Sequence, residues 1–130
     1  MINTRFIYQE ITDISEAIRA SFDVYEFLKE LVYCRPVDEL VTVYGDQTKL
    51  WAGHEITGRE ENIYHHEQFK VNDFSAEKFV VENIPFETYQ DLAQKILGQL
   101  KDENWQWFRI KFSQTELGSA EVYFFNNREK

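Results

Sequence analysis

The segment WQWFRIKF at residues 105–112, followed by EVYFF at residues 121–125, decides the fold of this chain. In the first segment Phe108, Ile110 and Phe112 share one side by period-two alternation, and the residues between them share the other. The polar residues that separate the two segments fit a hairpin loop. We therefore predict a C-terminal antiparallel β-hairpin with one face packed on helices and the other facing water.

An amphipathic helix is predicted directly before this hairpin. Pro85 suits the first turn of a helix, where its missing N–H has no hydrogen bond to lose. Apolar residues then recur at steps of three or four and mark the buried face as Phe86, Tyr89, Ala93, Ile96 and Leu100. The polar run Asp102–Asn104 ends the helix.

The amino-terminal quarter also has helical periodicity. From Phe6 to Val32, apolar residues recur in steps of three or four at Ile7, Ile11, Ile14, Ile18, Phe22, Tyr25, Leu28 and Val32. Asp13 with Glu16 three residues on fits a capping box, so the segment is one helix or two. Pro36 disfavours helical geometry at Arg35 and ends the element there.

The middle of the chain is predicted to form strands. β-Branched and aromatic residues are dense in residues 39–44, and residues 49–52 and 62–71 fit a second and a third strand. Residues 79–82 fit either a short strand or an extended approach to the second helix. The sequence therefore predicts one α+β domain over residues 1–130. Its antiparallel sheet has about four to six strands, with two or three helices packed largely on one face.

Acidic residues outnumber basic ones by 23 to 14, for a net charge of −9. Such a field repels nucleic acid and anionic membranes and attracts cationic partners over a screening length of about 8 Å. An acidic surface that serves solubility alone also fits. We predict a cytoplasmic protein, because a secretory signal, an apolar run long enough to cross a bilayer and a second cysteine are all missing.

The candidate reactive residues are Cys34 and three histidines. Cys34 is predicted to be a structural thiol, since the end of a helix disfavours a thiolate. The pair His-Glu occurs at His54 and at His66, but the second histidine of a zinc-protease motif is replaced by Gly58 and Lys70. We predict no catalytic residue, metal or cofactor; a metal-dependent enzyme that uses His54 with His65 or His66 stays an alternative.

Acidic side chains gather around a tryptophan in the middle of the chain. The predicted partner-binding residues are Asp46, Trp51, Glu55, Glu60, Glu61 and Glu67, an acidic rim around an aromatic anchor that suits the blocking of a basic active site. A solvated charged turn fits the same residues. If the rim hypothesis holds, replacing Glu60 and Glu61 by lysine slows binding of the partner and leaves the fold intact.

Residues at both ends of the chain carry a family resemblance. They are YQEIT at 8–12 running into Ile18, Trp105 at the start of a strand, the loop at 115–118, and Tyr123 with Phe124 in the last strand. Together with the order helix, strands, helix, aromatic hairpin, they resemble the YezG-like family of bacterial immunity proteins. The resemblance implies a protein that binds and neutralises a cognate toxin, often a nuclease, made by the same cell.

We therefore expect an immunity protein that blocks a basic nuclease domain through its acidic surface. It is not expected to bind nucleic acid or membranes directly, and its oligomeric state is left open. The alternative is a non-catalytic regulatory or adaptor protein that binds another cellular protein through its aromatic sheet face.

Overall fold

The computed structural model describes residues 2–31, 34–58, 68–112 and 118–127. These residues form eight strands and two α-helices, with a short 3-10 helix at Ile14–Glu16. In chain order the elements are β1 (Ile2–Ile11), α1 (Ala17–Leu28), β2 (Cys34–Pro36), β3 (Val41–Gly45), β4 (Leu50–Gly58), β5 (Lys70–Ala76), β6 (Phe79–Pro85), α2 (Tyr89–Glu103), β7 (Trp107–Phe112) and β8 (Ser119–Phe125).

The eight strands form one antiparallel sheet in the order β5-β1-β4-β3-β7-β8-β6, with the short β2 paired to β4 off this path. The predicted α+β class is confirmed, but the prediction of four to six strands was too low. The additional strands are β1, which was assigned to a helix, and the short β2.

The sheet curls into a half-barrel. Phe74 on β5 and Trp107 on β7 lie four strands apart along the sheet, a separation of about 19 Å in a flat sheet. Their ring centroids are nevertheless 5.0 Å apart. The edge strands β5 and β6 are also joined by only Glu77 and Lys78, so the two edges approach each other where that connection lies.

Both helices pack on the convex face of the half-barrel, as predicted. Residues of α1 and α2 share one apolar cluster with inward residues of the strands, including Ala17, Ala20, Leu92, Ile96, Leu100, Val43, Phe108, Ile110, Val122 and Phe124. The concave face carries a second cluster of Ile2, Phe6, Tyr8, Tyr44, Trp51, Phe74, Ala76 and Phe125, against which Phe79, Trp107 and Tyr123 pack. The face predicted to meet water is therefore largely covered by its own aromatic rings.

The predicted helix from Phe6 to Val32 was wrong at its start. Residues 2–11 form β1, a strand in the interior of the sheet that is buried on both faces, with Phe6 and Tyr8 on the concave side and Ile7 on the convex side. A strand with two apolar faces loses the clean alternation that identifies strands, and its apolar spacing then imitates a helix.

A new element does begin at Asp13, as the capping pattern indicated. The Asp13 carboxylate accepts a hydrogen bond from the Ser15 N–H at 2.9 Å and caps the 3-10 helix. Helix α1 then ends at Leu28, and Pro36 lies in β2 instead of at a helix end. The buried face of α1 is made of Ala17, Ala20, Ser21, Val24 and Leu28, so the predicted core residue Phe22 is 54% exposed.

The predicted second helix is confirmed except at its start. Pro85 ends β6, and the helix is capped instead by Thr88, whose side-chain oxygen accepts a hydrogen bond from the Asp91 N–H at 3.0 Å. Asn104 ends it in the left-handed region, at φ 63°. The predicted β-hairpin follows as β7 and β8.

The middle strands differ from their predicted bounds. Strand β4 continues through Gly53, past the predicted end of the strand. Glycine is needed there because β1 lies so close that a Cβ would be 1.9 Å from the Ile7 carbonyl oxygen. The strand predicted at 62–71 is found at Lys70–Ala76, and residues 62–67 lie outside the described ranges. Residues 79–85 form a strand.

Two smaller points complete the fold. Cys34 on β2 is fully buried, as expected for a structural thiol, although it lies in a strand and not at a helix end. Neither helix in the described ranges is both long and apolar enough to cross a membrane.

Candidate partner-binding hollow

The concave side of the half-barrel opens into a groove of about 1400 Å³, which we call the hollow. Its lining comes from strand ends and turns that the curl brings together, among them Thr4, Asp46, Phe74, Trp107 and Asn127. Polar side chains predominate at its mouth. A groove of this size suits a protruding segment of another protein better than a drug-sized molecule.

The aromatic cluster of the concave face consists of stacked rings, of which Phe74 and Trp107 line the hollow. Tyr8 stacks on Trp51 with ring centroids 4.2 Å apart, and Tyr44 stacks on Phe74 at 4.1 Å. The Trp51 ring also contacts Trp107 at 5.1 Å. Rings packed in this way have few free rotamers, so they hold the Phe74 and Trp107 side chains of the hollow in place.

A charged network lies beside these rings, with Glu55 at its centre. Its carboxylate accepts hydrogen bonds from the Tyr44 hydroxyl at 2.7 Å and from Arg109 Nη1 at 3.2 Å, and it pairs directly with Lys111. The Lys111 ammonium also contacts Asp38 at 2.8 Å. Two acids thus meet two bases, and the network is neutral as a whole.

The pKa values in this network follow from burial and partners. Burial alone raises the pKa of the Glu55 carboxyl, but hydrogen bonds from Lys111 and Tyr44 and the charge of Arg109 outweigh burial and lower that pKa. Burial and the Glu55 charge raise the pKa of the Tyr44 hydroxyl. Glu55 therefore stays ionised and Tyr44 protonated at neutral pH, which suits a structural ion cluster and not proton transfer.

Of the predicted partner-binding residues, Asp46, Trp51 and Glu55 lie in the described part of the chain, and two of these three are buried. Trp51 and Glu55 are buried on the concave face, only 8% and 4% exposed, so neither offers the free surface that the hypothesis assumed. Asp46 lies in the β3–β4 turn at the mouth of the hollow, where its carboxylate accepts hydrogen bonds from the Thr48 and Lys49 N–H groups, both at 2.7 Å. Glu60, Glu61 and Glu67 lie outside the described residues.

The histidines are likewise separated by the fold. His54 points to the convex side, where its ring lies 5.6 Å from that of Tyr25 on α1. His65 and His66 lie outside the described ranges. Across those ranges, no three histidine, cysteine or acidic side chains gather closely enough to hold a metal ion.

Sequence reasoning missed the basic half of the network. Arg109 and Lys111 were predicted to face water, yet their side chains are only 13% and 21% exposed. Because they alternate with Phe108 and Ile110, Arg109 and Lys111 were correctly predicted to lie on the same face of the sheet. That this face also holds Glu55 depends on β3 lying between β4 and β7, which a single sequence does not reveal.

Comparison of the chain with protein-family models, with curated proteins and with solved structures found no match. The functional argument therefore rests on the geometry and the charge of this chain.

Proposed function

We propose that this protein is an immunity protein, which binds a toxin domain with a basic surface, such as a nuclease, and blocks its active site. The observation that carries the proposal is the placement of charge. The cluster of Glu55, Asp38, Arg109 and Lys111 is neutral, so the net charge of −9 is carried by the other residues of the chain.

An acidic exterior of this kind favours fast capture of a basic partner. Long-range attraction raises association rates by factors of about 10 to 1000 at low salt, and the gain falls as salt screens the charges. Speed matters for an inhibitor of a toxin made by the same cell, because free toxin acts until it is bound.

The hollow supplies a surface suited to tight contact after capture. Phe74 lies in its lining, and Trp105 and Trp107 are half-buried at its edge. Partly exposed tryptophans at the rim of a preformed groove are typical anchors of protein interfaces. The resemblance to YezG-like immunity proteins implies the same role, although residues 8–11, which carry part of it, lie in strand β1 and not in a first helix.

A growth assay tests neutralisation directly. The C-terminal domain encoded by the neighbouring upstream gene, taken as the candidate toxin domain, is expressed with and without this chain. We expect growth to stop with the toxin domain alone and to recover when the chain is present. If growth stays arrested although an immunoblot shows more of this chain than of the toxin domain, the chain does not neutralise that toxin domain.

The adaptor alternative predicts a different interface. Since the rings of the aromatic sheet face largely cover one another, an adaptor would contact its partner through the rim residues Trp105 and Trp107. Its binding would bury apolar area and depend weakly on salt, whereas binding by an acidic inhibitor weakens strongly as salt rises.

A further inference from the structure

A second cavity of about 500 Å³ lies on the convex side, between α1 and the start of β3, and we call it the α1 pocket. Its walls include Phe22, Tyr25 and Leu40, and its rim carries the carboxylates of Glu26 and Glu39. Phe22 and Leu40 are exposed although they are large and apolar. Aromatic walls below a carboxylate rim are a combination that binds organic cations.

His54 lies at the floor of this pocket with unused hydrogen-bonding capacity. The residue is 3% exposed, and its Nδ1 has no hydrogen-bond partner in the described part of the chain. Burial lowers the pKa of the imidazole, an effect that the nearby Asp38 charge and hydrogen bonds with the Ser21 and Asp38 backbone oppose only in part. The ring is therefore neutral at pH 7 and adds no positive charge to the pocket.

The pocket rim already holds one cation from the chain itself. The Lys29 ammonium lies 5.2 Å from the centroid of the Tyr25 ring and 3.0 Å from a Glu26 carboxylate oxygen. This position shows that the Tyr25 face and the rim acids accept a positive group. Glu39 makes no ion pair with any described residue, so a second carboxylate is available on the other wall.

We propose that the α1 pocket binds an arginine side chain presented by the basic partner. The guanidinium takes the place of the Lys29 ammonium over the Tyr25 ring, contacts Phe22 and pairs with the Glu39 carboxylate. Arginine suits this arrangement better than lysine because its planar group stacks on rings and offers five N–H donors in fixed directions. That the arginine belongs to a toxin domain rests on the proposed function. The affinity of the pocket for an arginine side chain does not depend on that proposal.

A small-molecule titration tests the pocket without any partner. N-acetyl-L-arginine amide is added to the ¹⁵N-labelled protein, and amide shifts are followed together with the ring protons of His54. We expect saturable shifts that map to Phe22, Tyr25, Leu40 and His54. N-acetyl-L-citrulline amide, the uncharged isostere, should give less than a tenth of the shift at equal concentration, and Glu39→Gln should weaken arginine binding at least fivefold.

Shifts that are absent, that spread evenly over the acidic surface, or that citrulline reproduces would overturn the arginine site. Glu39 is exposed, so its replacement is not expected to disturb folding. The amide spectrum of the variant without ligand checks this point directly.

A second experiment separates the pocket from the proposed function. Binding of the toxin domain is compared for Glu39→Lys and for Asp102→Lys, an equal charge reversal at an exposed site in the last turn of α2. We expect at least a tenfold loss for Glu39→Lys and less than a threefold loss for Asp102→Lys. Equal losses of affinity in the two variants would contradict a role of the α1 pocket in toxin binding but not the immunity function. If the chain binds arginine in this pocket but binds no toxin domain, the proposed function is wrong and the arginine site stands.

Discussion

At the scale of single residues, Glu55 shows how an internal charge is maintained. Its carboxylate has three partners from β3 and β7, and these partners meet it only because the sheet brings their strands side by side. Removing a buried charge from such a cluster leaves the remaining charges uncompensated, which costs more than the pair itself contributes.

We expect Glu55→Gln to lower the free energy of unfolding by about 3 kcal/mol, as measured by urea denaturation. Gln keeps the shape and an acceptor for Tyr44 but leaves the two cations without their main partner. Glu30→Gln, at an exposed position after α1, is the matched control and should change stability by less than about 0.5 kcal/mol. Equal effects of the two substitutions would mean that the network contributes little.

The same variant should alter the pH dependence of stability. The folded state lowers the pKa of Glu55 below its ordinary value of 4.5, so its contribution is fully present above pH 4.5 and is lost as the pH falls through the folded-state pKa. Glu55→Gln should flatten this acid limb of the stability curve. An unchanged acid limb would show that other carboxyls dominate it.

Two glycines offer an opposed pair of substitutions. A methyl group at Gly53 would lie 1.9 Å from the Ile7 carbonyl oxygen and 2.8 Å from the Tyr8 Cα, whereas one at Gly98 on α2 has nothing within 4 Å. We expect Gly53→Ala to destabilise the fold by more than about 4 kcal/mol and Gly98→Ala to stabilise it by about 0.5–1 kcal/mol. A Gly53→Ala protein as stable as the parent in urea would contradict the close pairing of β1 with β4.

The residue scale is also where sequence reasoning failed most. Trp51 and Glu55 were assigned to a partner-binding rim because they lie among acids along the chain. Their burial depends on the curl of the sheet, which brings Trp107 over Trp51 and Arg109 over Glu55. Local composition carries no information about such contacts between distant strands.

At the scale of elements, the second helix and the hairpin were predictable, because each has a single buried face and therefore a clear period. The missing strand β1 is buried on both sides, and its pattern was ambiguous. The buried face of helix α1 was also predicted incorrectly, because its pattern of large apolar residues was misleading. Its contact face uses the small residues Ala17, Ala20 and Ser21, so the larger apolar side chain of Phe22 lies outside the core.

The start of α2 gives a direct test at this scale. Thr88→Ala removes the acceptor for the Asp91 N–H and should lower stability by about 1 kcal/mol, which corresponds to a fall in Tm of about 4 °C. Thr88→Ser keeps the hydroxyl and should melt within about 1 °C of the parent. If both variants melt together, the cap at Thr88 is not the one that stabilises the helix.

At the scale of the whole molecule, the chain combines a neutral ion cluster in the half-barrel with a net charge of −9 that comes from its other residues. The α+β class and the placement of helices on one face could be predicted from periodicity. The half-barrel could not, because closure depends on contacts such as Phe74 with Trp107 between strands far apart in the sheet.

The central claim is that this acidic exterior captures a basic toxin domain. The direct test is titration calorimetry of the chain, at 50 mM and 300 mM salt, against the candidate toxin domain, the C-terminal domain encoded by the neighbouring upstream gene. The account predicts one-to-one binding with a nanomolar Kd at low salt that weakens at least tenfold at high salt. No binding at micromolar concentrations, or a Kd that is the same at both salt concentrations, would contradict it.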